Sequence, residues 1–181
     1  MCNTVQLSNL ERNSYVREQI ETATMHLLAE RELREISVSQ VTEAAGVSRV
    51  SFYRNYEDKE DVVKTYIGRL ILGWHKENAD RFVAAKAETG KDDVMFESLF
   101  GFLKDHVDLF TLLEMRGMFY LFKDAFLGIY GPKPEYPNGV AYVSAFAFHG
   151  ICGWIEEWVR RGMRESGREM VALLAQMGSL G

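Results

Sequence analysis

The chain has little cysteine and little proline, and each scarcity excludes a class of protein. Its 181 residues include two cysteines, Cys2 and Cys152, which are too few for a disulfide scaffold or a cysteine-rich zinc site. All three prolines lie between residues 132 and 137, so proline interrupts no helix elsewhere. The composition therefore predicts an all-α protein with one marked break, a loop at residues 131–139.

Long apolar runs and enzyme motifs are also missing. No apolar run reaches the ~20 residues that would span a membrane, and the opening residues MCNTVQLSNLERNS are too polar for a signal peptide. The sequence contains no phosphate loop, dinucleotide fingerprint, nucleophile elbow or HExxH pattern. We therefore expect a cytoplasmic protein that is not an enzyme and has no membrane partner, catalytic residue, cofactor or metal site. One metal hypothesis stays open, because three potential ligands share a helix face: His149, Cys152 and Glu156.

Residues 36–63, ISVSQVTEAAGVSRVSFYRNYEDKEDVV, have the pattern of two short helices joined by a tight turn, with a third helix following. Ser37 and Gln40 are spaced as a capping box for the first helix, and Ser48 caps the second. Gly46 stands where a left-handed residue would end the first helix. This arrangement predicts a helix-turn-helix, with Ser37 and Ser48 placed where a DNA backbone would lie.

The second helix of this motif carries groups that suit DNA. Arg49, Val50 and Ser51 occupy its first turn, the part that meets base edges: Arg49 can bond guanine, Val50 can touch a thymine methyl, and Ser51 can bond any base. The next side chains suit phosphate or sugar contacts: Tyr53, Arg54 and Asn55. No acidic residue occurs in the window from 44 to 56.

Lys59 stands in an unfavourable place for a lysine. Asp58 caps the next helix, and a cation in the first turn opposes the helix dipole by roughly 0.3–1 kcal/mol. Such a local cost suggests that Lys59 is kept for a phosphate. The alternative is a solvated lysine beside Asp58 and Asp61.

The segment GVSRVSFYRNYEDKEDVV resembles the signature of TetR-type transcriptional regulators, with Tyr53, Tyr56, Lys59 and Glu60 at signature spacing. The resemblance implies that residues 49–51 face bases, that Tyr53 and Lys59 contact phosphates, and that Ser39 reaches the backbone or a base. Members often have glycine where this chain has Glu32, so the first helix must end here without an easy left-handed cap.

The charge balance argues against strong general affinity for DNA. The net charge is −5, and residues 1–60 hold seven Lys or Arg against ten Asp or Glu. DNA-binding domains are usually basic. We therefore predict weak non-specific DNA binding, with a shallower salt dependence than that of a strongly basic repressor.

The remaining pattern predicts about nine helices in two domains. A three-helix, helix-turn-helix DNA-binding head is predicted over residues 1–57, with its first helix at 14–31, capped by Asn13 or Ser14. A long helix, about 58–86, joins it to a C-terminal bundle for effector binding and dimerisation over residues 58–181. The further helices are predicted at about 92–105, 106–115, 116–129, 139–163 and 166–177.

The C-terminal half is rich in aromatic residues and methionine. We predict that part of this set lines a cavity for an apolar or aromatic ligand, since pockets between bundle helices are usually of this kind. The alternative for any one of them is plain core. The predicted pocket residues are Trp74, Phe96, Phe100, Phe110, Met118, Phe119, Phe122, Phe146 and His149.

Two glycines interrupt the next-to-last helix, and each costs up to ~1 kcal/mol relative to alanine. Close approach of helices would offset that cost, and the family resemblance implies a four-helix dimer interface here; bundle core is the alternative. The predicted interface residues are Gly150, Gly153, Trp154, Trp158, Met170, Leu173 and Leu174.

These observations predict a homodimeric, sequence-specific transcriptional regulator of double-stranded DNA. The resemblance implies a repressor that a small apolar or aromatic effector releases from an inverted-repeat operator, because the linking helix tilts and the two recognition helices lose the groove spacing. The alternative is an activator or co-regulator whose C-terminal body binds a protein partner.

Overall fold

The computed structural model describes residues 9–177, and side chains within 12–176. All regular elements in this part of the chain are helical, which confirms the predicted all-α class of about nine helices. Cys2 lies outside the described residues. The α-helices are α1 (Asn9–Glu30), α2 (Val38–Ala44), α3 (Arg49–Asn55), α4 (Lys59–Thr89), α5 (Asp93–Asp105), α6 (Val107–Met115), α7 (Phe119–Tyr130), α8 (Asn138–Arg160) and α9 (Gly167–Met177), with a 3₁₀ turn at Leu33–Glu35.

The helices form two compact units that divide inside α4. The first unit ends at Ile67 and the second begins at Gly68. The first turns of α4 belong to the first unit because Val62, Val63 and Ile67 are completely buried there. The boundary predicted between residues 57 and 58 falls at the start of α4. The division there into a DNA-binding domain and an effector-binding and dimerisation domain stays a prediction.

In the first unit, α1 packs against α2 and α3. α1 is longer than predicted, since Asn13 and Ser14 lie inside it, and the predicted cap at either residue is therefore wrong. The buried side chains of this unit come from every one of its helices and include Ile20, Leu28, Ile36, Val41 and Phe52.

The chain leaves α1 without a left-handed residue at Glu32. Its backbone is extended there, with φ −71° and ψ 147°. Glu32 and Glu35 form a reciprocal capping box around the 3₁₀ turn, and Leu33 is buried beneath it. A tight turn with its own cap thus replaces the glycine that similar proteins often have at this position.

In the second unit, α5 packs against α9, and α6 and α7 pack against α8. Phe100, Phe110 and Phe122 form the centre of its core, and the edge of the Trp158 ring meets Phe100 at a centroid distance of 5.2 Å. The predicted break at 131–139 falls between α7 and α8. None of the helices in the described part of the chain is both long and apolar enough to cross a membrane.

Candidate functional site

The turn between α2 and α3 is built by local hydrogen bonds. Ser37 Oγ accepts from the Gln40 amide at 3.2 Å, and the Gln40 side chain accepts from the Ser37 amide at 2.8 Å, which completes the predicted capping box. Gly46 has φ +64°, the left-handed conformation predicted for it. The Val47 amide then donates to the Thr42 carbonyl at 3.0 Å, so the chain leaves α2 in a Schellman turn.

Helix α3 has one sealed face and one open face. Ser48 caps it by accepting from the Ser51 amide at 3.1 Å, and Phe52 is completely buried against the rest of the unit. The open face projects two apolar surfaces and two cations. Val50 is 69% exposed and Tyr53 is 54% exposed, and the Arg49 and Arg54 side chains are exposed beside them.

The polar residues of α3 are held closer to the helix than its arginines. The Ser48 and Ser51 hydroxyls are 3.0 Å apart, and the Asn55 amide donates to the Ser51 carbonyl at 2.8 Å. Both Ser51 and Asn55 are half-buried, whereas Ser37 and Ser39 on α2 are exposed. Of the predicted DNA contacts, therefore, Arg49, Val50, Tyr53 and Arg54 reach furthest outward.

Among the described residues, no acid pairs with the exposed cations of α3. Within the described residues the first unit places Arg31 beside Glu30 at 3.6 Å and Arg34 beside Glu32 at 3.2 Å. No ion pair to Arg49 or Arg54 occurs in that same part of the chain. Two of the four basic residues named here are thus matched by acids, and the two on α3 stay available to an external anion.

Tyr56 forms a buried bond that the sequence did not indicate. Its hydroxyl donates to Glu21 Oε1 at 2.9 Å, and Glu21 is only 1% exposed. The Arg17 guanidinium lies 5.6 Å from the centre of the Tyr56 ring. Burial raises the pKa of Tyr56 to about 12; the hydrogen bond with Arg17 opposes this rise, and the Glu21 carboxylate adds to it. This contact joins the end of α3 to α1 and so fixes the tilt of the open face.

Glu21 is one of the ten acidic residues counted above in residues 1–60. Its position next to Ile20, in the same stripe as Thr24 and Leu28, was the available signal that it points inward.

Lys59 lies across the 3₁₀ turn rather than in open solvent. Its ammonium donates to the carbonyl of Leu33 at 2.6 Å and also to the carbonyl of Ile36. A lysine ammonium has three N–H donors, so this arrangement leaves one for an external acceptor. The contacts with Asp58 and Asp61 that were the alternative reading are not the ones it makes. Those carboxylates accept instead from the backbone amides of Asp61 and Glu57.

The second unit contains an apolar cavity of about 290 Å³ between α4, α5, α7 and α8. Trp74 and Phe96 line it, as predicted. The sequence analysis missed four other lining residues: Phe126, Tyr130, Ser144 and Phe148. Their spacing was an available signal, because residues four positions apart lie on one helix face.

The structure places the other predicted pocket residues elsewhere. Five lie in closed core, between 0% and 5% exposed: Phe100, Phe110, Met118, Phe119 and Phe122. Phe146 is 83% exposed and His149 is also on the surface, because their positions on α8 turn them away from α7. The lining of the cavity therefore shares two residues with the predicted set, Trp74 and Phe96.

A second, more polar hollow of about 660 Å³ also has Trp74 in its wall. Arg69, Glu77, Asp105 and His106 are among its walls. Trp74 lines both spaces, and its indole nitrogen donates to Ser98 Oγ at 3.0 Å.

The predicted dimer residues divide into two groups. Gly150, Gly153 and Leu173 are exposed, and Trp154 and Leu174 are half-buried, so all five can meet a partner. Trp158 and Met170 are only 3% and 2% exposed. Their side chains already pack inside their own chain, and they contribute to an interface only through the residues they support.

The most exposed apolar surface of α8 begins further toward its N-terminus. Its members are 50–83% exposed and recur at helical spacing, and we call them the α8 stripe: Val140, Tyr142, Val143 and Phe146.

His149, Cys152 and Glu156 do not come together as ligands. His149 faces out, Cys152 is buried, and the Glu156 carboxylate accepts from Lys123 Nζ at 2.7 Å. Burial raises the pKa of the Cys152 thiol to about 12, which disfavours the thiolate that a metal needs. Within residues 12–176 no three His, Cys, Asp or Glu side chains are grouped as a metal site.

Two comparisons with known proteins found similar sequences. Residues 20–66 match the model of a family described as bacterial regulatory proteins, tetR family. An uncharacterized HTH-type transcriptional regulator of Bacillus subtilis (strain 168), YxbF, is 30% identical over 110 residues. That match covers 60% of this chain but only 29% of the relative. The matched family region extends from α1 to the first turns of α4, and it therefore contains the whole helix-turn-helix.

Proposed function

We propose, from the premise that the first unit of this chain is a DNA-binding regulatory domain of the tetR family, that the protein is a dimeric repressor of transcription. It reads an inverted-repeat operator and leaves it when a small apolar or aromatic ligand binds. The observation that carries the proposal is the open face of α3. There, two arginines that pair with no acid in the described part of the chain flank exposed Val50 and Tyr53, and Phe52 is buried beneath them.

The residues of this face divide by reach. Arg49 is long enough to bond a guanine edge with two hydrogen bonds, Val50 can pack on a thymine methyl, and Ser51 and Ser39 can bond bases at shorter range. The groups near the ends of α2 and α3 contact phosphate or sugar, which positions the helix without reading sequence. They are Ser37, Ser48, Tyr53, Arg54, Asn55 and the remaining N–H of Lys59.

The α8 stripe supports the dimer. Large exposed apolar side chains clustered on one helix are uncommon on monomers and are typical of an interface. A two-fold axis beside α8 would bury the same stripe of both copies and let α8 approach its symmetry mate where Gly150 and Gly153 have no side chain. Two copies are also what an operator of two half-sites requires.

Helix α4 is the proposed connection between ligand and DNA. It is continuous from Lys59, which ties down the turn before α2, to Thr89, and Trp74 on the same helix lines the apolar cavity. A ligand can change DNA affinity only if it binds two positions of α4 with different strength. The cavity, lying against α4, is where such a difference would arise.

The α8 stripe also supports a second candidate function. A protein partner could cover it, and the chain would then act as an activator or co-regulator with the same DNA-reading helix. The two candidates differ in what occupies the stripe in the purified protein: a second copy for the repressor, and nothing for the co-regulator.

Selection from a pool of random DNA duplexes tests the proposed function. The expected product is an inverted repeat whose half-site centres lie one helical turn apart, about 34–36 Å, or a multiple of that distance. A protein in which Arg49 and Arg54 are both alanine serves as the negative selection. Recovery of the same sequences with both proteins, or of no common sequence with the native one, would contradict DNA reading by α3. A single half-site in place of the repeat would favour the co-regulator.

A further inference from the structure

The apolar cavity has an electrostatic character that limits what it can hold. None of the described residues that line it carries a charge. A carboxylate or an ammonium buried there would lose its hydration without gaining a counter-charge, and the cost of that loss is several times larger than that of burying a neutral group. The lining therefore selects against ionised molecules.

The aromatic walls of the cavity favour an aromatic molecule. The Phe126 and Phe148 rings are stacked at 5.5 Å with an angle of 26° between them, and Tyr130 lies 4.8 Å from Phe126. A volume near 290 Å³ is just below the usual range for ligand pockets, about 300–1,000 Å³, so the ligand must be small. Aromatic walls at these distances accept the face or the edge of a ring.

Tyr130 places a hydroxyl at this cavity, and that hydroxyl is hydrogen-bonded to the side chain of His75. His75 Nδ1 lies 2.7 Å from the Tyr130 oxygen, and His75 itself does not line the cavity. Burial raises the pKa of Tyr130 to about 12, so the phenol keeps its proton at neutral pH.

The two tautomers of His75 give the phenol opposite roles. When Nδ1 accepts, the phenol oxygen is left to accept from a ligand, and when Nδ1 donates, the phenol O–H is left to donate. The pair can therefore meet either a hydroxyl or a carbonyl.

Two further polar groups near the cavity differ in availability. The Trp74 indole N–H is already used by Ser98, so it cannot read a ligand. Ser144 lines the cavity and is half-buried, and its hydroxyl has no hydrogen bond to another described residue. Tyr130 and Ser144 are thus the polar contacts that the cavity offers.

We propose that the effector is an uncharged, flat aromatic molecule with a single hydroxyl or carbonyl oxygen. Tyr130, whose hydroxyl is held by His75, and Ser144 form hydrogen bonds with that oxygen. This inference rests on the proposed role of the cavity as the effector site. Beyond that role, it specifies that the ligand is uncharged, that it carries one polar oxygen, and which residues select these two properties.

Three probes with the same ring system separate the parts of this proposal: naphthalene, naphthol and naphthoate. Isothermal titration calorimetry of the native protein at neutral pH is expected to give naphthol the highest affinity, naphthalene less, and naphthoate the lowest. Tyr130→Phe keeps the ring and removes the hydroxyl, and it should weaken naphthol by about three- to tenfold while leaving naphthalene unchanged. Tyr136→Phe is the matched control, since Tyr136 lies in the loop between α7 and α8 and does not line the cavity.

Ser144→Ala gives a second measurement that does not depend on how the protein tolerates a change at Tyr130, and it too should weaken naphthol more than naphthalene. The proposal is overturned if naphthoate binds as tightly as naphthol, if no probe binds, or if neither variant alters the preference for naphthol.

Release of operator DNA by naphthol is measured separately with the native protein. If naphthol binds with the expected preferences and DNA stays bound, the ligand class stands and the proposed effector role fails.

Discussion

The ammonium of Lys59 donates a hydrogen bond to the carbonyl of Leu33, 26 residues earlier in the chain, at 2.6 Å. The same ammonium bonds the carbonyl of Ile36, immediately before the cap of α2. A cation in the first turn of α4 is unfavourable for that helix. Here it bonds the Leu33 carbonyl, which also accepts from the Ile36 amide, and the Ile36 carbonyl just after the 3₁₀ turn, so the cost at one element is offset at another.

The first prediction concerns this bond. Lys59→Ala should lower the free energy of unfolding by about 1–2 kcal/mol, because it removes charge-assisted bonds to two partly buried carbonyls. It should also weaken DNA binding, since the turn it holds leads directly into α2. Lys76→Ala is the control on the same helix, at an exposed lysine. Urea denaturation measures the first effect and fluorescence anisotropy with operator DNA the second. Unchanged unfolding together with weakened DNA binding would mean that Lys59 acts on phosphate alone.

A second prediction separates two tyrosines three residues apart. Tyr56→Phe removes the bond to buried Glu21 and should cost about 1–3 kcal/mol of stability. Tyr53→Phe should leave stability unchanged, because Tyr53 is 54% exposed, and should weaken DNA binding through a lost phosphate contact. Urea denaturation measures the stability of each variant, and titration with operator DNA measures its affinity. Equal loss of stability in the two variants would contradict the division of roles.

The pH dependence of stability follows from the same tyrosine. The pKa of Tyr56 rises from 10.0 to about 12 on folding, so the native state binds more protons than the unfolded state between those values. Its contribution to stability is complete below pH 10 and is lost as pH rises toward 12. Tyr130 titrates in the same direction in the second unit. The decline of stability with pH should therefore be shallower in Tyr56→Phe than in the native protein. An identical decline in both would show that Tyr56 does not titrate as its burial requires.

The contrast between local and distant contacts explains what the sequence could predict. The Ser37 and Gln40 capping box and left-handed Gly46 depend on residues three or four positions apart, and both were predicted and found. The bond from Tyr56 to Glu21 joins residues 35 positions apart, and no local pattern encodes it.

The prediction of the pocket residues was incomplete for a related reason. Phe146 and Phe148 lie two positions apart on α8, and only one is buried, at 5% against 83% exposed. Composition shows that α8 is apolar on several sides, but which side meets α7 depends on packing between helices. The sequence could therefore predict the type of cavity and two of its lining residues, Trp74 and Phe96, but not its place among the helices.

A further prediction distinguishes base reading from phosphate contact on α3. Arg49→Ala should reduce discrimination between the operator and a variant with one guanine replaced, by about ten- to a hundredfold. Arg54→Ala should weaken all DNA similarly and reduce the slope of log affinity against log salt by about one. Arg164→Ala, at an exposed arginine of the second unit, is the control for loss of a positive charge. Equal loss on every sequence in Arg49→Ala would assign Arg49 to the backbone instead.

The last prediction tests the α8 stripe as a dimer interface. Phe146→Glu places a charge at the most exposed apolar residue of the stripe, and burying it against a second copy without a partner charge would be strongly unfavourable. Sedimentation equilibrium should show a dimer for the native protein and a monomer for this variant. Val83→Glu is the matched control, because Val83 is 71% exposed on α4 and lies outside the stripe, and it should stay dimeric. A monomeric native protein would favour the co-regulator with a partner protein on the stripe, and a dimeric Phe146→Glu would place the interface elsewhere. If the variant is monomeric, it should still bind a half-site but lose the gain in affinity that a second, correctly spaced half-site provides, because that gain requires two linked readers.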